Sequence, residues 1–205
     1  MEWILAVLGA LLLGRICVRW HDCGIACVCS ACAGCLTAAG LSVLRTPSPA
    51  LAGSFLTAFC LLLLLDAEPE RPRFWLEEWR MTLRRLTPYA ILIALLAGLS
   101  ETLLALIPLS CILSALSRLS WRPLSDTVRL GVMLIAPAAL GAIAAPYLTP
   151  WMNMIRGVLC AFTLYLTGFH LMPMAHRLYP GRQNAALFFL FVFLICYYTN
   201  CIISM

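Results

Sequence analysis

The chain has 205 residues, of which 63% are hydrophobic and 11% charged, with a net charge of +5 and a mean hydropathy of +0.95. A soluble domain carries about 25% charged residues, and the polar surface here is too small to cover a water-facing exterior. An ordinary soluble domain is excluded, and lipid is expected to supply most of the solvent. Every one of the 14 basic residues is arginine. That bias reads first as a GC-rich, bacterial genome, and arginines scattered through short connections report membrane orientation rather than nucleic-acid binding.

At the N-terminus, Glu2 stands where a secretory signal carries basic residues, residues 3–13 are apolar, and Arg15 and Arg19 follow without a small-x-small cleavage pattern. Nor is the stretch from Leu13 to Cys17 a lipidation site, because Arg15 and Ile16 occupy positions that call for small residues. The first segment is expected to be an uncleaved signal anchor. Further apolar stretches follow at 23–43, 49–65, 87–117, 129–146, 150–172 and 184–204. One crossing takes about 20 residues, with a range of about 17–25. All are ordinary in length except 87–117, which is too long and holds Glu101 near its centre.

Arginine placement separates two readings of 87–117. If it crosses once, alternate connections carry 7 and 6 arginines, which gives no orientation. If it turns back at Ser100, Glu101 and Thr102, the division is 12 against 1. The chain is therefore predicted to be an all-α polytopic transmembrane bundle of about 7–8 membrane segments, including a short hairpin at 87–117. Both termini then lie outside, with the arginine-rich connections in the cytoplasm.

Three parts are expected. Residues 1–65 form a three-helix membrane unit with a cysteine-rich second helix, 66–86 a cytoplasmic linker, and 87–205 a five-segment membrane bundle. In the linker Trp75, Trp79, Leu83 and Leu86 recur at helical spacing opposite Glu77, Glu78, Arg80, Arg84 and Arg85. This is an amphipathic pattern that suits the membrane interface, or equally a juxtamembrane helix end with an aromatic anchor.

Cysteine gives the sharpest local pattern: Cys23, Cys27, Cys29, Cys32 and Cys35, with Cys17 upstream. The spacing of Cys29, Cys32 and Cys35 matches three ligands of a ferredoxin-type run, but Ala39 stands where the fourth belongs. Spread around one helix, these side chains cannot converge on a single metal without unwinding it. The preferred reading is that Cys, Ala and Gly act as small residues that let helices approach closely. A metal or redox site on Cys29, Cys32 and Cys35 remains the alternative. No disulfide pairing follows from spacing.

Elsewhere, Gly131, Pro137, Ala138, Gly141 and Ala145 mark a closely packed, proline-containing helix. His170 and His176 flank Pro173 beside Arg177, and without an adjacent carboxylate they read as cations at a helix end rather than metal ligands. No nucleophile–base pattern, phosphate loop or metalloprotease motif is present, so no enzyme activity and no cofactor is expected. Glu101 and Arg156 are the ionisable residues inside predicted membrane segments, and such residues are functional candidates by default.

The run Arg122-Pro-Leu-Ser-Asp-Thr127 leads into 130–137 and Gly141, and Leu164-Tyr-Leu-Thr-Gly-Phe-His-Leu171 precedes Pro173. With the cytoplasmic lead-in and five segments of residues 66–205, this pattern resembles the Yip family of small polytopic membrane proteins. The resemblance implies a helical membrane protein that binds partners, and residues 1–65 have no counterpart in it. The expected function is an integral membrane scaffold of the bacterial inner membrane. Its partners would be the bilayer and other membrane proteins or further copies of itself. Two alternatives stand beside it: a small transporter or channel subunit using Glu101 and Arg156, and a membrane redox or metal protein using the cysteine cluster.

Overall fold

A computed structural model describes residues 2–17, 21–43, 48–65, 75–100, 102, 105–117, 123–178 and 182–203. Every regular element among them is helical. The main helices are α1 (Glu2–Cys17), α2 (His21–Val43), α3 (Pro49–Leu65), α4 (Trp75–Leu99), α5 (Leu106–Ser117), α6 (Pro123–Ala144), α7 (Met152–Tyr165), α8 (Met172–Leu178) and α9 (Arg182–Ile203). A 3-10 helix, Ala145–Trp151, joins α6 to α7, and a π-helical segment, Leu166–Leu171, joins α7 to α8.

Prolines explain where the helices change character. Pro146 and Pro150 lack the N–H that an α-helix needs, and Leu148 between them leaves helical geometry at φ −108° and ψ 15°. The chain therefore bends between α6 and α7. Pro173 acts differently. Its ring would press on the carbonyl of Phe169, four residues earlier, and it cannot donate to it. The wider π turn before it takes up this conflict, and the Met172 N–H reaches back five residues to the Thr167 carbonyl.

Residues 87–117 contain a break where the turn is expected. Helix α4 ends at Leu99, and the Ser100 hydroxyl bonds both the Leu96 carbonyl (2.7 Å) and the Thr102 hydroxyl (2.6 Å). The Ala105 N–H then bonds the Thr102 carbonyl at 3.3 Å, and α5 begins. Upstream, α4 runs from Trp75 through Pro88 without interruption. The amphipathic part of the linker is thus the first half of this helix rather than a separate piece, and residues 66–74 lie outside the described residues.

Glycines decide how the helices meet. A Cβ on Gly98 of α4 would collide with the backbone of Ala138 in α6, and one on Gly141 would collide with Leu95 and Leu99 of α4. The C-terminal ends of α4 and α6 are therefore seated on each other, with the Ala145–Trp151 turn touching α4 at the same end. Helix α7 returns from that turn along α4, and its Phe162, Tyr165 and the following His170 reach Tyr89 at ring distances of 6.3, 6.0 and 5.7 Å. Helix α3 runs beside α7 in the same direction: Leu51 and Ser54 enclose Gly157, and Phe59 lies 6.2 Å from Tyr165 further along.

Helix α2 occupies the centre, in contact with α1, α5, α7, α8 and α9. The division of the sequence at residue 65 is not a division of the packing. Helix α1 pairs mainly with α5, α2 with α9 and α3 with α7, so each of the first three helices is built into the later ones.

The interior mixes small side chains, among them Ala26, Ala33, Ala38, Ala94, Ala97, Ala138 and Ala161, with large ones such as Leu36, Ile93, Leu106, Ile112, Leu113 and Tyr165, and it also holds Ser30, Ser110, Ser114, Thr163 and Thr167. Many further large apolar side chains point outward, including Leu56, Leu64 and Leu65 on α3, Val132, Leu140 and Ile143 on α6, and Leu187, Phe191 and Ile195 on α9. Most buried hydroxyls bond a carbonyl of their own helix, as Thr163 does to Cys160 at 2.9 Å and Thr167 to Thr163 at 2.8 Å. Ser114 crosses from α5 to the Leu11 carbonyl of α1.

One helical run among the described residues, Val128–Arg177, is long and apolar enough to cross a membrane, and an 18-residue window within it has a mean hydropathy of 1.9. It comprises most of α6, the bend, α7 and α8. Ala26–Ser42, Pro49–Leu65, Leu86–Leu99, Leu106–Ala115 and Ala186–Thr199 are shorter apolar helices.

Candidate functional site

The cysteines of α2 face partners that the sequence pattern does not reveal. Spacings of three residues turn each successive side chain by about 60° on an α-helix. Cys29, Cys32 and Cys35 therefore form one slanting stripe, not a ring around the helix. Cys29 and Cys32 are buried, and Cys35 is half-buried.

Two other helices bring thiols to that stripe. Cys111 of α5 bonds Cys32 and lies within electrostatic reach of Cys29 and Cys35. Cys196 of α9 meets Cys35 with the two sulfur atoms 3.4 Å apart. Gly34 makes the second approach possible. A Cβ there would lie 2.9 Å from the Phe189 carbonyl oxygen and 3.0 Å from the Phe193 nitrogen, so only glycine lets α9 settle this close to α2. The adjacent residue, Cys35, is carried against α9 by the same fit.

These thiols are strung along the interface rather than gathered about a point. Among the described residues, no three His, Cys, Asp or Glu side chains converge as metal ligands. The described cysteines are thiols, including Cys27, Cys60 and Cys160, which lie apart from the stripe's two pairings. The side chains of Cys17, Cys23 and Cys201 lie outside the described residues. In the sequence Cys111 and Cys196 stand singly, outside any cysteine motif. Only their position midway along helices that contact α2 distinguishes them, and helix partners are not written in spacing.

The other sequence candidates fall at two different places. Arg156 sits half-buried in the second turn of α7, at the end of the bundle where α4 and α6 finish. Glu101 lies outside the described residues, although Ser100 and Thr102 on either side of it place the turn at that same end. His170 belongs to the π-helical segment and joins an aromatic cluster, 5.6 Å from the ring of the fully buried Tyr165 and 5.7 Å from Tyr89. His176 is on α8, one turn beyond Pro173, and its Nδ1 is buried without a hydrogen-bond partner among the described residues. The two histidines therefore serve different surroundings rather than a shared site.

A groove of about 660 Å³ lies between α3 and α7, lined by Gly53, Ser54, Thr57, Leu61, Met154 and Val158 among others. Its walls are almost wholly apolar, and no ionisable side chain lines it. No known family matches the chain, and no curated protein sequence matches it.

Proposed function

We propose that this chain is a multi-pass integral membrane protein of eight segments that acts as a scaffold, binding other membrane components through its helix faces, as the resemblance to the Yip family implies. The extent of large apolar side chains on the outer surface, together with small residues at the closest helix contacts, carries this reading. In water, large apolar side chains are the ones buried and each contributes about 1.5–3 kcal/mol on burial. In lipid that drive is absent, and helices associate through small residues that permit close contact. Leucines and phenylalanines such as Leu56, Leu64, Leu140, Leu187 and Phe191 face outward, while leucine and isoleucine share the interior with alanine, serine and cysteine. An outer surface this apolar is the arrangement expected of a lipid-embedded bundle.

Chain direction supports the same reading. The turn at 100–102 and the bend at 145–151 share one end of the bundle. An in-and-out path through eight segments puts them on the outer side and leaves 12 of the 13 connecting arginines on the cytoplasmic side of a bacterial inner membrane. Helix α5 has 12 residues and reaches only about 18 Å. It is a half-span, which a membrane tolerates where neighbouring helices shield it.

Reporter fusions after residues 20, 80, 125 and 180 test the path, and all four are expected on the cytoplasmic side. Opposite locations for 80 and 125 would restore a single crossing of 87–117 and sink the eight-segment reading. Purification in mild detergent tests the scaffold role: a stoichiometric partner or a defined oligomer is expected, and a lone monomer under native expression would remove it. A second reading, a small transporter subunit, draws on the half-buried Arg156 beside the end that carries the 100–102 turn. Ion or solute flux in proteoliposomes that is lost in Arg156→Gln would favour it.

A further inference from the structure

The pairing of Cys35 with Cys196 goes beyond the scaffold reading, because packing alone does not require two thiols to meet. The close approach of α2 and α9 rests on Gly34, the residue before Cys35, and not on the thiols themselves. Here the two sulfur atoms lie 3.4 Å apart on helices separated by 161 positions in the chain. A disulfide needs about 2.05 Å, so the gap to close is about 1.4 Å. Closing it takes rotation about the two Cα–Cβ bonds and a shift of α9. The seat at Gly34 holds the backbones close while this happens.

We propose that Cys35 and Cys196 are a redox pair that closes to an interhelical disulfide by passing two electrons and two protons to a lipid-soluble quinone. Both S–H bonds break and one S–S bond forms. The quinone takes up the two hydrogens and leaves as the hydroquinone, so atoms and electrons balance. Reduction by a hydroquinone of lower potential runs the same step backward.

The character of the surroundings selects the oxidant. Both thiols are half-buried. The exposed side chains near Cys196 on α9 are Leu194, Ile195 and Tyr198 with Thr199, whose hydroxyl is turned back onto the Ile195 carbonyl. On the lipid-embedded reading, on which this proposal rests, the approach to the pair is through an apolar phase. An aqueous disulfide carrier would have to enter an apolar surface to reach either sulfur, whereas a quinone dissolves in that phase. Cys32 and Cys111 do not compete on equal terms, since Cys32 is buried and lies deeper in the interface. Closing the pair would lock α9 onto α2, and opening it would leave the fit of Gly34 against the α9 backbone to hold this contact.

The test uses the full chain, reduced and reconstituted in vesicles of phosphatidylethanolamine and phosphatidylglycerol, with decylubiquinone as the probe. Its ring is fully substituted, so it oxidises thiols without adding to them. The expected result is loss of two titratable thiols per chain, one hydroquinone formed per chain, and a single cross-linked peptide pair joining Cys35 to Cys196. Cys35→Ser and Cys196→Ser are each expected to abolish hydroquinone formation, while Cys160→Ser retains it in full. Peptide mapping of the unaltered chain needs no variant, so misfolding of a serine variant does not blur the result. Retention of every thiol, a cross-link joining Cys32 to Cys111 instead, or undiminished quinone reduction by a folded Cys196→Ser chain would overturn the proposal.

Discussion

Helices α2 and α3 follow each other in the chain and reach opposite fates. Helix α3 is the more apolar, ending in five consecutive leucines, yet only Leu51 and Leu62 of it are buried, and Leu65 is 77% exposed. Helix α2 is richer in alanine, glycine and cysteine, and it occupies the centre with Ala26, Ala33, Leu36 and Ala38 at 0% exposure. Hydrophobicity therefore does not choose the central helix here. Side-chain size does, because a helix with a thin profile admits five neighbours at close range, and one clad in leucine does not. In a lipid-embedded bundle that contrast makes contact between backbones, rather than escape from water, the driving force for assembly.

The contrast breaks most visibly if a charge is placed on the outward face of α3. Leu56 is mid-helix and exposed. Leu56→Arg is expected to lower membrane insertion by about 3 kcal/mol if that face meets lipid, read as loss of the glycosylated or protease-protected form in an insertion assay. If the face meets water instead, the change stays within about 0.5 kcal/mol, and the lipid reading of the surface fails.

Paired glycine substitutions sharpen it next. Gly34→Ala on α2 drives a methyl group into the α9 backbone and is expected to destabilise by about 1–3 kcal/mol. Gly53→Ala on α3 meets nothing within 4 Å and is expected to stabilise by about 0.5–1 kcal/mol through helix propensity alone. Denaturant titration of the purified chain in detergent reads both, and equal effects of the two substitutions would erase the distinction between the helices.

The smallest effect comes from a hydroxyl that bonds across helices. Ser114→Ala removes its bond to the Leu11 carbonyl, and interhelical hydrogen bonds of this kind are worth about 0.6 kcal/mol in membranes. Thr163→Val should cost no more, since that hydroxyl bonds only carbonyls of its own helix. A loss of several kcal/mol at Ser114 would make polar contacts, and not backbone approach, the main link between α1 and α5.

The sequence by itself determined the all-helical class, the helix boundaries to within a few residues for α2, α3 and α9, and the break at 100–102. These follow from local chemistry: apolar run length, proline, and polar residues where a helix must stop. It also marked Cys29, Cys32 and Cys35 as unusual, because an i, i+3, i+6 repeat is visible in a single strand of text. Only the tertiary structure decided that Cys111 and Cys196 complete that stripe, that residues 1–65 are not a packing unit of their own, and that α2 rather than the more apolar α3 lies at the centre. Those outcomes depend on which helix faces meet. That choice is made by the fit of glycine seats on α2, α4, α6 and α7 against backbones distant in the chain, and no periodicity within one segment records the shape of its partner.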